Sequence, residues 1–600
     1  MLEQSIQSTD MALANVFQDF YCVPDYQREY VWGEDDPKGQ RGDEVEQFIG
    51  DIWAEYQSSN GHSSPEYFIG TVVVCRGQEA VFDLIDGQQR ITTAFLMLCA
   101  IRDELKENGE TSLEYLLPQI SAVTADSQGK IIHRVRLELQ YEDSQGVLDH
   151  YAKGAWEAAP RDGTRSISNI AGAYATIREF LKTNCKGDPE LIRRFYGYFI
   201  NKVKLIRIET SSLAKALKIF ETVNDRGVGL DAMDLLKNLL FMHADSEDFA
   251  KLKSVWKQAT DAIFHSREKP LRFLRYFIFA DFNVSESKLQ EDAIYNWFLK
   301  NEPQTGHSTN PIKFAERLLG AAKTYAGFVE GHGPSGQHEE GITNTRCLGG
   351  SAVRQHYIML LAGRHLNSTN FSSLAIELEN LMFAYLVTNT LTKEYESSII
   401  EWSKKLRSLN DDQFEGFRND FFVGAKKGIA EKFGQEFGKL TLWNTRAFRI
   451  RYALAKLTQV IDVRAYGDTG GHGILANYVN GKNDIEHILP ANPSEAALAE
   501  FGEVPVESDF CQRLGNLMLV EKTINQIIGN KPYSEKAEVY PQSQYLLVKC
   551  QASTPVFGVA DHISKVVTTV PSFGKWDKNA IDDRRDYMVE LAREVWEVPL

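Results

Sequence analysis

Two compact apolar runs rich in β-branched residues lie close together near the start of the chain. They span residues 67–75 (YFIGTVVVC) and 80–87 (AVFDLIDG), and runs of this length and composition predict strands of a buried sheet. Residues 91–105 place apolar side chains at helical spacing and bring in charge only near their end. This predicts a helix packed on that sheet, so we expect strand, DGQQR loop and helix in direct succession.

Beyond residue 200, the hydrophobic pattern predicts first a strand and helices and later a loop-rich segment. Residues 203–210 (VKLIRIET) predict one more strand, and residues 216–241 predict a helix, a Gly-containing turn and a second helix. Long amphipathic segments across 246–465 predict a helical middle. Residues 466–486 are rich in Gly and Asn, which is typical of a loop-rich module, and residues 580–596 predict a terminal helix.

The composition is that of a globular protein with a net negative charge. Hydrophobic residues make up 43% of the 600 and charged residues 25%, and the net charge is −16. That balance argues against a general nucleic-acid coat but leaves room for a local basic groove. Seven scattered cysteines without a CxxC pair predict reduced thiols. With no secretory signal and no apolar run of about 18 residues, we expect a cytoplasmic protein without a membrane segment.

The strongest candidate chemistry lies in the segments DIEHILPANP and RLGNLMLVEKTIN. The first places Glu486 beside His487 just before a proline-terminated turn, and the second places Asn516 in a Gly-Asn turn, followed by Asn525. An imidazole can act as a general base near neutral pH. Carboxylate and amide oxygens can hold a hard divalent ion beside a phosphodiester. Each residue alone is more often structural, but their ordered combination favours a hydrolytic nuclease.

A second candidate site lies in DLIDGQQRITT. Its Asp-Gly step after an apolar strand predicts a tight loop, and the helix that begins directly after it adds the positive end of a helix dipole. Arg90 would supply a fork for phosphate and Thr92 a hydroxyl group, while Gln88 and Gln89 would offer amides to a base or sugar. The loop is therefore a candidate phosphate cradle. It is not a Walker loop, because the pattern GxxxxGK[ST] does not occur.

The C-terminal segments resemble the HNH-like domain of GmrSD-type restriction enzymes, a type IV, modification-dependent family. The resemblance rests on EHILP, LGNLML, Asn525 and Lys536, and it implies a ββα-metal nuclease domain within a helical bundle. It implies that His487 is the general base and that Asn516 orients the loop bearing His487. It also implies Glu486 and Asn525 as ligands of Mg²⁺ or Mn²⁺, and Lys536 as a phosphate contact.

The N-terminal motifs resemble the other domain of the same family, which has a ParB/sulfiredoxin-like α/β fold with a DGQQR-type nucleotide loop. This resemblance implies binding, and hydrolysis, of an NTP whose base the sequence does not identify. The residues implied for the nucleotide pocket are Asp86, Gly87, Gln88, Gln89, Arg90 and Thr92. Those implied for sensing DNA or completing the pocket are Pro24, Tyr26, Gln27, Arg28, Tyr30, Trp32, Asn224, Arg226 and Lys237.

Pattern and resemblance together predict an α+β multidomain protein. We expect a nucleotide-binding sensor domain at 10–245, the helical middle at 246–465 and the nuclease domain at 466–600. The expected function is a nucleotide-regulated, metal-dependent DNA endonuclease of anti-phage restriction that responds to DNA modification and either nicks or cuts both strands. The alternatives are a non-catalytic, nucleotide-gated DNA sensor, a phosphorothioate-sensing nickase that attacks unmodified DNA, and a ribonuclease. DNA and a nucleotide are the expected partners, and homo-oligomerisation is left open.

Overall fold

A computed structural model describes most of the chain and divides it into two compact units. One unit comprises Met1–Ser254 and His307–Ile312, and the other comprises Val255–Gly306 and Lys313–Leu600. The structure describes residues 6–24, 27, 29–33, 42–58, 65–77, 81–125, 129–140, 146–161, 164–211, 215–216, 219, 232–284, 289–349, 354–502, 509–558 and 561–600.

The first unit is built on a mixed β-sheet. Its strands are β1 (Gln7–Ala12), β2 (Phe20–Val23), β3 (Tyr67–Arg76), β4 (Val81–Asp86), β5 (Ser121–Ala125), β6 (Ile131–Val135), β7 (Leu137–Leu139) and β8 (Val203–Thr210). Six of them form one sheet in the order β1-β8-β3-β4-β2-β7, and β5 pairs with β6 in a separate ribbon. In the main sheet, β3 runs antiparallel to β4 and parallel to β8, and β2 runs parallel to β4.

The predicted order of strand and helix is confirmed, but the predicted DGQQR loop is wrong, because Asp86 ends β4 and Gln88, Gln89 and Arg90 already belong to the helix. β3 and β4 occupy the two apolar runs, and the helix Gln88–Glu107 begins one residue after β4 ends. Gly87 lies between them as the helix N-cap with φ of +85°, a left-handed conformation that favours glycine. The helix is buried from Ile91 to Leu105, and this stretch includes the charged residues Arg102, Asp103 and Glu104, which form buried hydrogen bonds and ion pairs. The strand predicted at 203–210 is also confirmed, as β8.

Helices surround this sheet. Those up to residue 243 are Leu13–Val16, Glu44–Ser58, Gln88–Glu107, Leu117–Ile120, Val147–Ala152, Arg165–Cys185, Pro189–Lys202 and Ala232–His243. The second helix predicted within 216–241 corresponds to Ala232–His243, whereas most of the preceding segment lies outside the described residues. The apolar core of the unit joins the central strands to the helices Gln88–Glu107, Arg165–Cys185 and Pro189–Lys202.

The chain beyond residue 248 is mainly helical, as the amphipathic pattern predicts. The longer helices are Phe249–His265, Pro270–Asp281, Pro311–Glu330, Ser368–Val387, Thr392–Leu406, Ala430–Gly438, Ala447–Tyr466 and Lys578–Val595. Shorter ones are Ile294–Lys300, Glu302–Thr305, Glu340–Arg346, His356–Ala362, Phe414–Phe417, Gly424–Gly428, Ala476–Val479, Glu495–Phe501, Lys522–Ile528, Tyr533–Ala537, Leu546–Lys549 and Asp561–Val567. A π-helix spans Arg418–Val423. The terminal helix predicted at 580–596 is confirmed.

A two-stranded sheet lies within the helices of the second unit. β9 (Asn483–His487) and β10 (Leu517–Glu521) pair antiparallel, with His487 opposite Leu517. The helix Lys522–Ile528 follows β10 directly and packs on both strands, while Ala447–Tyr466 contacts β10. Leu517, Met518, Leu519 and Val520 of β10 are fully buried, so both faces of this strand pack inside the unit.

Two further expectations concern cysteines and membrane segments. All seven cysteines are free thiols. Among the described residues, no helix is both long enough and apolar enough to span a bilayer.

Candidate functional site

The two-stranded sheet brings together a carboxylate and an amide from different elements. Asp484 and Glu486 are two residues apart on β9, so they share one face of the strand. Asn525, on the helix that follows β10, donates a hydrogen bond from Nδ2 to Asp484 Oδ2 at 3.3 Å. Asp484 was not among the site residues predicted from the sequence. The Asp-x-Glu spacing within a strand was the signal that could have identified it.

His487 ends β9 and is half-buried. Its Nε2 lies 3.4 Å from Oε1 of Gln512, a residue that sequence reasoning missed because it lies outside the recognised motifs. Burial lowers the pKa of His487, an effect that the Gln512 hydrogen bond opposes. The imidazole is therefore biased toward its neutral form, which is the form that can accept a proton from water.

Asn516 holds the loop that follows His487. Its side-chain Oδ1 accepts hydrogen bonds from Leu489 N at 2.7 Å and from Trp576 Nε1 at 2.9 Å. Its Nδ2 donates to the carbonyl oxygens of Leu489 and Cys511, both at 2.9 Å. The side chain is fully buried, and all of these bonds go to protein atoms. Asn516 therefore fixes the backbone two residues beyond His487 from both sides.

Arg584 of the terminal helix fixes the backbone of Asn516 itself. Its Nη1 donates to the carbonyl oxygens of Gly515 and Leu517, both at 2.8 Å. Burial lowers the pKa of Arg584 to about 10. Gly515 permits this packing, since a Cβ there would lie 2.1 Å from the carbonyl oxygen of Ile581. Neither Arg584 nor Trp576 is identifiable from the motifs, because both lie more than 50 residues beyond Asn525 in the sequence.

Glu486 and Lys536 form a buried ion pair on the same face of β9. The Lys536 amine is fully buried, donates to the Glu486 carboxylate and also donates to the carbonyl oxygen of His487 at 2.8 Å. Burial raises the pKa of Glu486 and lowers that of Lys536. Sequence reasoning assigned Glu486 to a metal and Lys536 to a phosphate. In this structure the two bind each other and support the end of β9, and Asn525 bonds to Asp484 instead.

The oxygen-bearing side chains permit a test of fit to a divalent cation. Among the described residues, no group of three or more His, Cys, Asp and Glu side chains is arranged to hold a metal ion. Asp484 and Asn525 nevertheless offer a carboxylate oxygen and an amide side by side. Rotation of the amide would present its oxygen. Two oxygen ligands fit a hard ion that keeps its remaining positions for water and phosphate.

In the first unit, the DGQQR segment is joined to the segment that carries Tyr30. The Gln89 amide accepts hydrogen bonds from Val31 N at 2.9 Å and from Trp32 N at 3.4 Å, and it donates to the carbonyl oxygen of Glu29 at 3.0 Å. Tyr30 OH lies 2.7 Å from Thr93 Oγ1. The Gln89 side chain is thus occupied by these backbone groups, which explains how two motifs distant in sequence form one site.

Arg90 lies in the first turn of the helix Gln88–Glu107 and is partly exposed to solvent. Its Nη1 donates to the carbonyl oxygen of Ile69 at 2.8 Å, and its Nη2 lies 3.8 Å from Asp86 Oδ2. About a quarter of the Arg90 side chain stays exposed. Gly70 makes room for it, because a Cβ at that position would lie 2.0 Å from Arg90 Nη1. Gln88 and Thr92 are buried in the first turns of the helix.

The third motif reaches the same site through one lysine. Lys237 Nζ donates to the carbonyl oxygen of Gln27 at 3.0 Å. Gln27 is buried, and its Nε2 has no hydrogen-bond partner among the described residues. Pro24 is buried, and Trp32 packs against Phe48 with ring centroids 5.6 Å apart. The other residues proposed from these motifs lie outside the described part of the chain: Tyr26, Arg28, Asn224 and Arg226.

Comparison with known protein families identifies two domains in this chain. Residues 11–241 match the model of the GmrSD restriction endonuclease N-terminal domain. Residues 430–591 match the model of the GmrSD restriction endonuclease C-terminal domain. A search of curated protein sequences gave no match. The two family matches cover both sites and more than half of the chain, and the chain therefore belongs to the GmrSD restriction endonuclease family.

Proposed function

We propose that this restriction endonuclease cuts DNA with an HNH-type, metal-dependent centre in the C-terminal unit. The observation that carries the proposal is a hydrogen bond of 3.3 Å from Asn525, on the helix Lys522–Ile528, to Asp484, on the strand that ends at His487. Two antiparallel strands followed directly by a helix supply these three residues. The order and spacing of the elements are those expected of a ββα-metal nuclease.

Each residue of the proposed nuclease centre would have its own role in cleavage. His487 would accept a proton from the attacking water, because its burial favours the neutral imidazole. Asn516 and Arg584 would hold the His487 loop in place through their hydrogen bonds to backbone groups. Asp484 and Asn525 would hold Mg²⁺ or Mn²⁺. When bound, such an ion stabilises the charge that develops on the scissile phosphate.

The N-terminal unit would bind a nucleotide that regulates cutting, and would hydrolyse it. Support comes from the meeting of three motifs near the start of one helix, from the partly exposed Arg90 side chain and from the buried Gln27 amide that lacks a described partner. A left-handed glycine at the start of a long helix leaves backbone N–H groups available for phosphate. In this proposal Gln89 binds the backbone of residues 29–32 and does not contact the nucleotide.

The biological role would be anti-phage restriction governed by the modification state of DNA. Either modified foreign DNA would be cut, or a host backbone modification such as phosphorothioate would direct attack on unmodified DNA. Cleavage of matched phage DNAs that differ only in modification, with each NTP in turn, separates these two branches. Parallel RNA substrates test whether the centre is specific for DNA.

A second candidate is a non-catalytic, nucleotide-gated DNA sensor. The ion pair of Glu486 with Lys536 favours it, because a carboxylate neutralised by a buried amine is less available to a cation. Plasmid nicking with Mg²⁺, Mn²⁺ or Ni²⁺ distinguishes the candidates. His487→Ala should lower the rate by at least about 10²-fold without changing thermal unfolding. A parent protein that never nicks, with any metal or NTP, would leave the sensor as the function.

The nucleotide site requires its own experiment. Arg90→Ala should abolish or strongly weaken NTP binding measured by calorimetry, since it removes the phosphate fork. Arg76→Ala provides a matched control, because Arg76 is an exposed arginine on β3 that pairs with Glu209. Equal affinity of the Arg90 variant and the parent would reject the cradle.

A further inference from the structure

A rigid turn precedes the helix Ala447–Tyr466. The backbone N–H of Thr441 donates to Asn444 Oδ1 at 2.9 Å, and the backbone N–H of Asn444 donates to Thr441 Oγ1 at 3.1 Å. Asn444 Nδ2 also donates to the carbonyl oxygen of Lys439 at 2.9 Å. A backbone bond from Thr445 N to Thr441 O, at 3.0 Å, closes the turn. The conformation of residues 439–446 is therefore fixed by local bonds.

This turn is hydrogen-bonded to the segment that contacts His487. Leu442 N donates to the carbonyl oxygen of Gln512 at 3.2 Å, and Leu514 N donates to that of Leu440 at 3.0 Å. Gln512 is the residue whose side chain lies 3.4 Å from the imidazole of His487. The turn thus lies at the border of the proposed nuclease centre.

The turn exposes a large apolar side chain. Trp443 is 70% exposed, whereas the other eight of the nine tryptophans, all within the described residues, are buried or half-buried. Phe448, five residues further along the chain, is 41% exposed. Fixing an indole in solvent forgoes the burial that usually stabilises it, so a surface tryptophan on a rigid turn suggests a contact with a partner.

The charge around Trp443 is positive on a chain that is negative overall. Residues 437–461 contain five lysines and arginines and no Asp or Glu, while the whole chain carries −16. Two of the five are neutralised by carboxylates from outside this segment, since Lys439 pairs with Glu436 and Lys456 pairs with Glu379. Arg446 is exposed and forms no ion pair with a described residue. The pKa of Arg449 is lowered by burial and further by the nearby charge of Arg446. The positive charge without a described carboxylate partner therefore lies on the arginines next to Trp443, and such a charge can bind a phosphate group.

More cations lie on the Gln512 side of the turn. The Arg513 guanidinium lies 4.4 Å from the ring centroid of Phe510, and Lys578 Nζ lies 5.9 Å from the same ring. Arg451 donates to the carbonyl oxygen of Asn483, at the first residue of β9. Positive charge therefore continues from the turn toward the strand that carries His487.

We propose that Trp443 and Arg446 form a contact for the DNA strand next to the phosphodiester to be cut, with the indole against a nucleotide and the guanidinium on a phosphate. This proposal rests on the proposed nuclease function. An aromatic face accepts any base, and an arginine adds phosphate affinity without reading sequence. The contact would therefore increase affinity for DNA near the cutting centre and not select a sequence.

Binding is measured on the full chain carrying His487→Ala, with a fluorescein-labelled DNA duplex, Mg²⁺ and anisotropy as the readout. Added Trp443→Ala should weaken binding by about tenfold, whereas Trp443→Phe should retain most of the affinity because a ring remains. Arg446→Ala should lower the slope of log affinity against log salt by about one. Phe264→Ala is the control, since Phe264 is another exposed aromatic of the same unit, at 56% exposure.

Catalysis is measured separately with a nicking assay on plasmid and with a small phosphodiester, bis-p-nitrophenyl phosphate. Trp443→Ala in the otherwise native chain should raise KM for plasmid and leave hydrolysis of the small ester unchanged. His487→Ala should abolish both activities. If Trp443→Ala and Arg446→Ala leave DNA affinity, salt dependence and plasmid KM at parental values, the contact surface is refuted while the nuclease stands. If His487→Ala remains fully active, the proposed centre fails, and the binding measurements still decide the surface.

Discussion

Replacing Lys536 by methionine tests the buried ion pair beneath β9. Lys536 is fully buried and the Glu486 side chain is only 6% exposed. Methionine keeps most of the apolar stem but removes the ammonium group. The variant therefore leaves a buried carboxylate without its cation and the carbonyl oxygen of His487 without the donor that lies 2.8 Å away. No other described side chain donates to this carboxylate.

The expected cost follows from this burial. Removing one partner of a buried ion pair typically destabilises a protein by about 3–5 kcal/mol. Part of that cost disappears when the remaining charge is removed as well. The double variant Lys536→Met with Glu486→Gln should lose only about 1–2 kcal/mol, the cost of unpaired neutral groups. The two changes should therefore be non-additive by about 2 kcal/mol or more.

Urea unfolding monitored by tryptophan fluorescence and circular dichroism measures these differences. Trp576, which bonds to Asn516, lies close to the site and reports on it. Lys427→Met is a matched control, since Lys427 is an exposed lysine of the same unit. A loss below about 1 kcal/mol for Lys536→Met, or strictly additive effects in the double variant, would refute the buried pair.

The same variants separate the two roles considered for Glu486. If its carboxylate holds β9 and not the cation, Glu486→Gln should lower stability but leave the metal concentration for half-maximal cleavage nearly unchanged. Asp484→Asn should instead raise that concentration by about tenfold or more, because a charged oxygen ligand is lost. If Glu486→Gln raises this metal concentration more than Asp484→Asn does, Glu486 is the metal ligand.

Burial raises the pKa of Asp462 to about 6, so the folded state favours the protonated acid. The free energy of unfolding therefore falls by about 3 kcal/mol as the pH rises from about 4 to about 6. Asp462→Asn should remove this loss, and its stability relative to the parent should improve between about pH 4 and about pH 7 in denaturant unfolding; a constant difference would contradict this. Trp576→Phe should remove the hydrogen bond to Asn516 Oδ1, costing about 1 kcal/mol of stability, and should lower kcat more than it raises KM; an unchanged kcat would show that Asn516 needs no such support. Gly70→Ala should displace Arg90, since its Cβ would lie 2.0 Å from the guanidinium at a φ of +103°, and calorimetry should show weaker NTP binding; parental affinity would place the phosphate elsewhere.

Sequence patterns determined the local elements of this protein. Strands at 67–76, 81–86 and 203–210 and the terminal helix follow from apolar runs and helical spacing, and all four are observed near their predicted bounds. The motifs also predicted His487 and Asn516 as site residues from residue type and order. These properties depend on neighbours within one or two turns of the chain, so they can be read from the sequence directly.

Tertiary structure decided which side chains meet. Lys536 reaches Glu486 across 50 residues, Asn525 reaches Asp484 across 41, and Gln89 reaches Val31 across 58. The sequence could present each of these side chains as a candidate ligand, but it could not show that another part of the protein already binds it. The sequence could not predict the exposure of Trp443 either, since a large apolar side chain is normally expected in the protein interior. Whether a polar or aromatic group stays available depends on the path of the whole chain, because burial and hydrogen-bond pairing are set by contacts distant in sequence.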